Sequence, residues 1–351
     1  MIPHQVQQII DNCCDPVRSN ANRRVIEELC ADQRFRDRQE LSGAFNNLGD
    51  LIIYVQKHQT QIAIPQKTQG EDYQERSLDN GLVVRYKPKR DFHMRFTETE
   101  YQKRGFTECT LDEQTVMKNF PELRRFWWDN YFIWPNPSPI YDYHITLARD
   151  IHVVQSVSSV EMLHMFAFLN LAPQFRIFYN GPRLGGASVA KHQHFQGLVN
   201  ELPIEREWGR IELYMGEASI AMVQDYPARA IEVKGKEPKA VADMTSRVLE
   251  VFMFPPEEIA EDVRREIVDV NILFARRGDY RTFIFPRTKE LPIMAGTGEY
   301  KVRPGAVEMS GVMLTGDKGT YQKLTQGMTA DILDEVSSQR NTVLACLKYI
   351  I

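Results

Sequence analysis

The chain has few cysteines, no excess of charge of either sign and no long apolar run. Five cysteines among 351 residues, at positions 13, 14, 30, 109 and 346, form no framework spacing, which excludes a disulfide-stapled scaffold. Their odd number, together with a start (Met1-Ile-Pro-His-Gln5) that lacks a basic segment followed by an apolar core, leads to an expectation of reduced thiols and a cytoplasmic location. A formal net charge of −4 supplies no electrostatic reason to bind nucleic acid or a membrane surface. No apolar stretch approaches the roughly 20 residues of a membrane-spanning helix. What is present, 43% apolar and 26% charged residues, describes an ordinary globular protein long enough for more than one core.

Residues 4–60 read as helical, with Asn20 or Asn22 capping a helix through Val25, Ile26, Leu29 and Cys30, and a second helix from Leu41 to Val55. The polar run Gln66–Glu75 reads as a linker. Leu82–Tyr86 and Tyr143–Ala148 read as strands, and Trp127, Trp128, Tyr131, Phe132 and Trp134 as an aromatic core cluster. Ser158-Ser-Val-Glu161 is a capping box opening a helix through Leu169 that Pro173 ends. Further on, Pro255-Pro256 opens a helix to about Val268, and Asn271–Arg276 and Arg281–Phe285 flank a hairpin turn at Gly278-Asp279. Gly305–Leu314 reads as another strand and Thr329–Ile351 as terminal helices. Helices beside antiparallel strands, taken twice, argue for an α+β architecture. The boundaries expected are an N-terminal helical extension over 1–75, a catalytic half over 76–215 and a second half with C-terminal helices over 216–351.

Chemistry concentrates in one stretch, Asn180-Gly-Pro-Arg-Leu-Gly-Gly-Ala-Ser-Val-Ala-Lys-His-Gln-His-Phe-Gln-Gly197. Arg176–Tyr179 reads as a strand entering its Gly/Pro-rich loop. After the loop, His192, His194 and Gln196 share one face of an extended strand, with Gln193 and Phe195 on the other. Three readings compete for that face. The residues are satisfied polar groups, or two ligands of a metal ion, or a nucleophilic imidazole acting on phosphorus. The last needs a fixed tautomer, amide donors and positive charge nearby. The loop offers the amides of Gly185, Gly186, Ala187 and Ser188, flanked by Arg183 and Lys191.

These residues resemble the histidine-triad superfamily in its nucleotidyltransferase branch, whose signature is H-x-H-x-Q. That branch includes galactose-1-phosphate uridylyltransferase, diadenosine tetraphosphate phosphorylase and the GDP-hexose phosphorylases. The last group is the most similar in His192–Val199 with Leu202-Pro-Ile-Glu205, in Asn136–Leu147, in Asn271–Phe274 with Phe283–Pro286, and in Ala306–Gly311. The resemblance implies two histidine-triad-like halves, each an antiparallel sheet with packed helices. It implies a phosphorolytic nucleotidyltransferase acting on a nucleoside diphosphate sugar, a GDP-hexose above others, or on a dinucleoside polyphosphate. The acceptor is phosphate or a sugar 1-phosphate, with no cofactor, and a homodimer is compatible with it.

Carried over by position, the resemblance makes His194 the nucleophile, His192 its structural partner, and Gln196 a donor to a phosphoryl oxygen. Asn180, Arg183, Gly186, Ser188, Lys191 and His144 become expected substrate contacts. A glutamine has no titratable proton to give a leaving group or take from water, which favours anionic partners over water. A nucleotide hydrolase and an inactive nucleotide-binding protein are the alternatives on the same frame. Relatives of the wider branch often hold structural zinc through C-x-x-C. Phe106-Thr-Glu-Cys109 has that spacing with one cysteine, so no metal is expected.

Overall fold

The computed structural model describes residues 4–31, 45–63, 73–88, 109–121, 123, 126–136, 139–206, 208–214, 216–266, 269–293 and 300–350. Of the expected linker, residues 66–72 lie outside them, as do Phe106 and residues 41–44 of the second expected helix.

Thirteen strands are described, in chain order β1 (Gln74–Ser77), β2 (Val83–Tyr86), β3 (Phe126–Trp128), β4 (Tyr131–Pro135), β5 (Ile145–Arg149), β6 (Arg176–Asn180), β7 (His194–Leu198), β8 (Arg210–Tyr214), β9 (Ala218–Val223), β10 (Ile231–Gly235), β11 (Asp269–Arg277), β12 (Asp279–Arg287) and β13 (Val312–Thr315). Ten of them form one sheet in the order β3-β4-β5-β7-β6-β11-β12-β10-β9-β8. Its first five strands and last five repeat one plan. Three strands run antiparallel in sequence, a long helix crosses over, and two more strands add on at the inner side. The crossover helices are Ser159–Leu171 and Pro238–Met253. The two expected sheets therefore join edge to edge through β6 and β11, where Asn180 lies opposite Asn271. The architecture is α+β with two such halves.

Amphipathic burial explains the layers. Phe166 and Phe168 of the first crossover helix, and Val248 and Phe252 of the second, pack on one sheet face with Leu147, Ile177, Phe195, Ile272 and Phe274. Against the other face lie Phe178, Leu198, Leu273 and Phe283, covered by the β1-β2-β13 sheet and by Ala306 and Met309. Phe195 thus points to the helices, and its neighbours His194 and Gln196 point to the opposite side.

Several local expectations change on folding. The first crossover helix begins with the anticipated capping box, Ser158 N–H donating to Glu161 at 2.9 Å. The second crossover helix replaces the one expected at Pro255, where among the described residues only Glu261–Glu266 is helical. Pro238 starts it in the first turn, the position that proline tolerates. Gly305–Leu314 is a short helix, Ala306–Met309, that turns at Gly311 (φ 104) into β13. Asn20 and Asn22 sit inside helix Pro16–Ala31, whose first amides, Val17 and Arg18, donate to Asp15 instead. Asn22 serves the sheet. Its side-chain amide donates to the Trp127 carbonyl at 2.9 Å and accepts the Trp127 N–H at 2.8 Å, completing the outer strand β3. No helix among the described residues is long and apolar enough to cross a membrane.

Candidate functional site

The H-x-H-x-Q stretch straddles a boundary. β7 begins at His194, so His192 lies in the bend before it and its ring departs from the shared face. What His192 gives the face is its carbonyl, which accepts from His194 Nδ1 at 2.8 Å. With Nδ1 carrying the proton, the lone pair of the imidazole is at Nε2. Burial pushes the pKa of His194 down to about 4, against the opposing effect of its bond to the His192 carbonyl. At neutral pH His194 is a free base with a defined tautomer.

Gln196 follows two residues later on the same face. His144 Nδ1 accepts the Ile140 N–H at 3.0 Å, so its proton resides on Nε2 and is donated to Gln196 Oε1 at 2.9 Å. That bond fixes the amide flip and turns the Gln196 NH2 group away from His144. Tyr143, at φ 59, bends the chain so that β5 starts at Ile145 rather than Tyr143, and His144 enters from the bend. His144, expected to touch substrate, is placed behind Gln196.

The glycine-rich loop is tied to the second half of the chain. Asp269, buried at the start of β11, accepts through one oxygen the amides of Arg183, Leu184 and Gly185 at 2.7, 2.6 and 2.9 Å. Its other oxygen accepts from Val270 at 2.9 Å. A Cβ on Gly181 would lie 2.0 Å from Asp269 Oδ1, so only glycine allows this approach. Gly186 adopts φ 81, the left-handed region, as the chain turns beside Pro304 and Gly305. The Ala187 amide donates to Gly181. Two of the four amides expected to receive phosphate, those of Gly185 and Ala187, are therefore engaged within the protein. Asn180, expected at the substrate, bridges the halves: its side-chain oxygen accepts from Asn271 at 3.0 Å and from the Ala306 amide at 2.8 Å. Asn271 in turn accepts from the fully buried Arg287 at 2.5 Å. Burial pushes the Arg287 pKa down to about 10, with Asp269 opposing. Arg183 and Lys191 are exposed, and Ser188 is half-buried.

The ring of His192 enters a separate cluster. Its Nε2 contacts the Arg149 carbonyl at 2.8 Å, while Nδ1 faces Asp112 at 3.0 Å and the Cys109 thiol at 3.6 Å. The His152 ring lies 5.1 Å away, tilted by 50°. One ligand atom from each of Cys109, Asp112, His152 and His192 lies within 4.8 Å of the others. Burial pushes the Cys109 thiol up and the His192 imidazole down, which leaves the imidazole neutral as a ligand must be. With Nε2–H held by a carbonyl, the Nδ1 lone pair faces a carboxylate, an arrangement that a cation between them relieves. A thiol, a carboxylate and two imidazoles are a donor set of the kind that can hold zinc. No metal is expected from Phe106-Thr-Glu-Cys109, which has one cysteine; the same spacing on the other side, Cys109-Thr-Leu-Asp112, ends in an aspartate that joins the cluster.

Asp269, Asn271, Arg287, Asp112, His152 and Gln155 are not among the expected site residues. Only Asp112 carried a signal, its three-residue spacing from Cys109.

Family models match both parts of the chain. Residues 71–199 match a domain of unknown function, DUF4922, and residues 205–351 match the GDPGP1-like C-terminal domain. A comparison with curated proteins gives no match. Yeast Ap4A phosphorylase Apa2 is similar in structure, with a TM-score of 0.52 at 12% identity over 81% of this chain and 97% of that one. Its complex with Ap4A gives 0.54 at 11% over 84% and 98%, and its complex with AMP 0.52 at 12% over 81% and 96%. At these identities the likeness to Apa2 is one of fold. The C-terminal part of the chain is thus similar to the GDPGP1-like C-terminal domain, and the fold of the chain is shared with Apa2.

Proposed function

We propose that the protein is a nucleotide phosphorylase that transfers a nucleotidyl group through His194. The observation carrying this reading is the bond from His194 Nδ1–H to the His192 carbonyl, which leaves Nε2 as an unprotonated nucleophile. Nε2 attacks the α-phosphorus of a nucleoside diphosphate sugar, a GDP-hexose being favoured, or of a dinucleoside polyphosphate. A nitrogen–phosphorus bond forms, and the bridging oxygen leaves with its electron pair as an anionic sugar 1-phosphate or nucleotide. A phosphate oxygen then attacks the same phosphorus and releases Nε2, giving a nucleoside diphosphate. A sugar 1-phosphate acting as acceptor reverses the first step.

Each neighbouring group suits that course. Gln196 presents NH2 to a nonbridging oxygen, with its flip set by His144. Neither step needs a proton delivered, because both leaving group and acceptor are anions, and Gln196 could not supply one. Arg183 and Lys191, with the amides of Gly186 and Ser188, are the proposed contacts to the phosphates. An ion held by Cys109, Asp112, His152 and His192 would have no open position. It would supply rigidity to the bend whose carbonyl orients His194.

The test is a panel of GDP-, UDP- and ADP-sugars and dinucleoside polyphosphates, each with and without phosphate, read by product analysis. Phosphate-dependent formation of a nucleoside diphosphate is expected. Monophosphate alone at every phosphate concentration, with no sugar phosphate accepted, would assign a hydrolase instead.

A further inference from the structure

Gln155 lies between the first half's β5 and its crossover helix, 2% exposed. Its surroundings are set by a gap in the sheet. On one side β7 is fully laddered, Ala148 of β5 opposite His194. On the other, the β6–β7 ladder stops at Phe178 opposite Gln196, and β6 leads away into the loop after Asn180. His194 would be left without a strand partner there. The Gln155 side chain fills the place. Its Oε1 accepts the His194 N–H at 2.8 Å, and its Nε2 donates to the His194 carbonyl at 3.0 Å and to the Asn180 carbonyl at 3.1 Å. A primary amide is the side chain able to do this, since it carries an acceptor and two donors in one plane. Gln155 is itself fixed by its N–H, which donates to the Ala190 carbonyl at 3.0 Å.

We propose that Gln155 is a positioning residue for the nucleophile, an inference that rests on the reading of His194 as the group attacking phosphorus. By standing in for a strand, the amide holds both backbone polar groups of His194. It also lets β6 leave the sheet to form the loop without freeing the residue it leaves behind. The peptide geometry so fixed keeps His194 Nδ1 on the His192 carbonyl and Nε2 aimed away from it. Asn22 performs the same bonding at Trp127 on the outer strand, far in the ladder from the motif, and provides an internal control.

The experiment compares the native protein with Gln155→Met, Gln155→Glu and the control Asn22→Leu. Spectra of 15N-histidine-labelled protein, with His194 identified by its absence in His194→Asn, report the tautomer without any substrate. Native protein and Asn22→Leu should show Nδ1–H alone, while Gln155→Met should show both tautomers. Nucleotidylation of His194 at saturating donor should fall about a hundredfold in Gln155→Met, the scale of a small misplacement of reacting groups. KM should stay near native. Gln155→Glu, which keeps the acceptor but not the donors, should fall between, and it carries both readouts if Gln155→Met does not fold. A native tautomer and native rate in folded Gln155→Met, or an equal loss in Asn22→Leu, would overturn the inference. A native protein with the expected tautomer but no transfer to any nucleotide would overturn the reading of the reaction, while the spectra still decide whether Gln155 orients the ring.

Discussion

Asp269 and Gly185 stand 84 residues apart in sequence and meet at 2.9 Å, the carboxylate of one half accepting the loop amide of the other. The same oxygen accepts from Arg183 and Leu184, so a single buried charge gathers three successive N–H groups. Replacing Asp269 with Ala strands those donors and removes the counter-charge of Arg287. A loss of at least about 3 kcal/mol in unfolding free energy is expected, because each buried donor left unbonded costs about 1–3 kcal/mol. Urea denaturation measures it. A midpoint within experimental error of native would mean that the loop does not depend on this anchor.

His144 is bonded to Gln196, and a double-mutant cycle separates a role through that amide from direct contact with substrate. Gln196→Ala should raise the barrier to nucleotidyl-histidine formation by about 2–4 kcal/mol. His144→Leu should raise it by about 1 kcal/mol, the net worth of one hydrogen bond. In the Gln196→Ala background His144→Leu should add almost nothing. Full additivity would place His144 on the substrate.

The pH dependence follows from burial of His194. Its folded pKa of about 4 lies below the ordinary value of 6.5, so between these values the unfolded chain takes up a proton that the folded chain refuses. Stability from this group is complete above about pH 6.5 and is lost as pH falls toward 4, by about 3 kcal/mol at roughly 1.4 kcal/mol per pH unit. His194→Asn should lack that part of the slope. The rate of nucleotidyl-histidine formation should likewise show no fall at the ordinary histidine pKa. Identical stability slopes in native and His194→Asn protein would contradict this assignment.

A cobalt titration examines the cluster beside the motif. One equivalent should give the visible absorption of a four-coordinate ion. Cys109→Ser and His152→Ala should weaken or abolish it, and zinc should displace it. Affinity should rise with pH, because the buried Cys109 thiol must lose its proton to bind. Featureless spectra at every pH would show that the four groups meet without holding an ion.

The plan of each half was legible because periodicity and capping carry it. Leu82–Tyr86, Arg176–Tyr179, the Ser158–Glu161 box and the Gly278-Asp279 turn mark elements by local chemistry. Helix Pro238–Met253 begins at a single proline, a weaker signal than the Pro255-Pro256 pair beyond it. The joining of both sheets at Asn180 and Asn271 could not be read, because nothing local to β6 or β11 names its partner. The site divides the same way. His194 and Gln196 share a face because alternation along a strand puts them there. His192 leaves that face because β7 starts two residues late, a boundary shift that spacing does not encode. Gln155 and Asp269 reach the motif only through folding, and each bonds backbone groups, which leave no trace in side-chain pattern. Asn22 and Asn180 read as a cap and a ligand because amides suit those roles; in the fold both tie backbone segments together.

The central claim is that His194 Nε2 becomes bonded to phosphorus. The most direct measurement is intact-protein and peptide mass spectrometry after brief exposure to a nucleoside diphosphate sugar without phosphate, quenched in alkali. A nucleoside monophosphate adduct on the peptide bearing His194 is expected, stable in alkali, lost in acid, discharged by phosphate as nucleoside diphosphate, and absent in His194→Ala. Undiminished turnover by His194→Ala, or an adduct on any other residue, would contradict it.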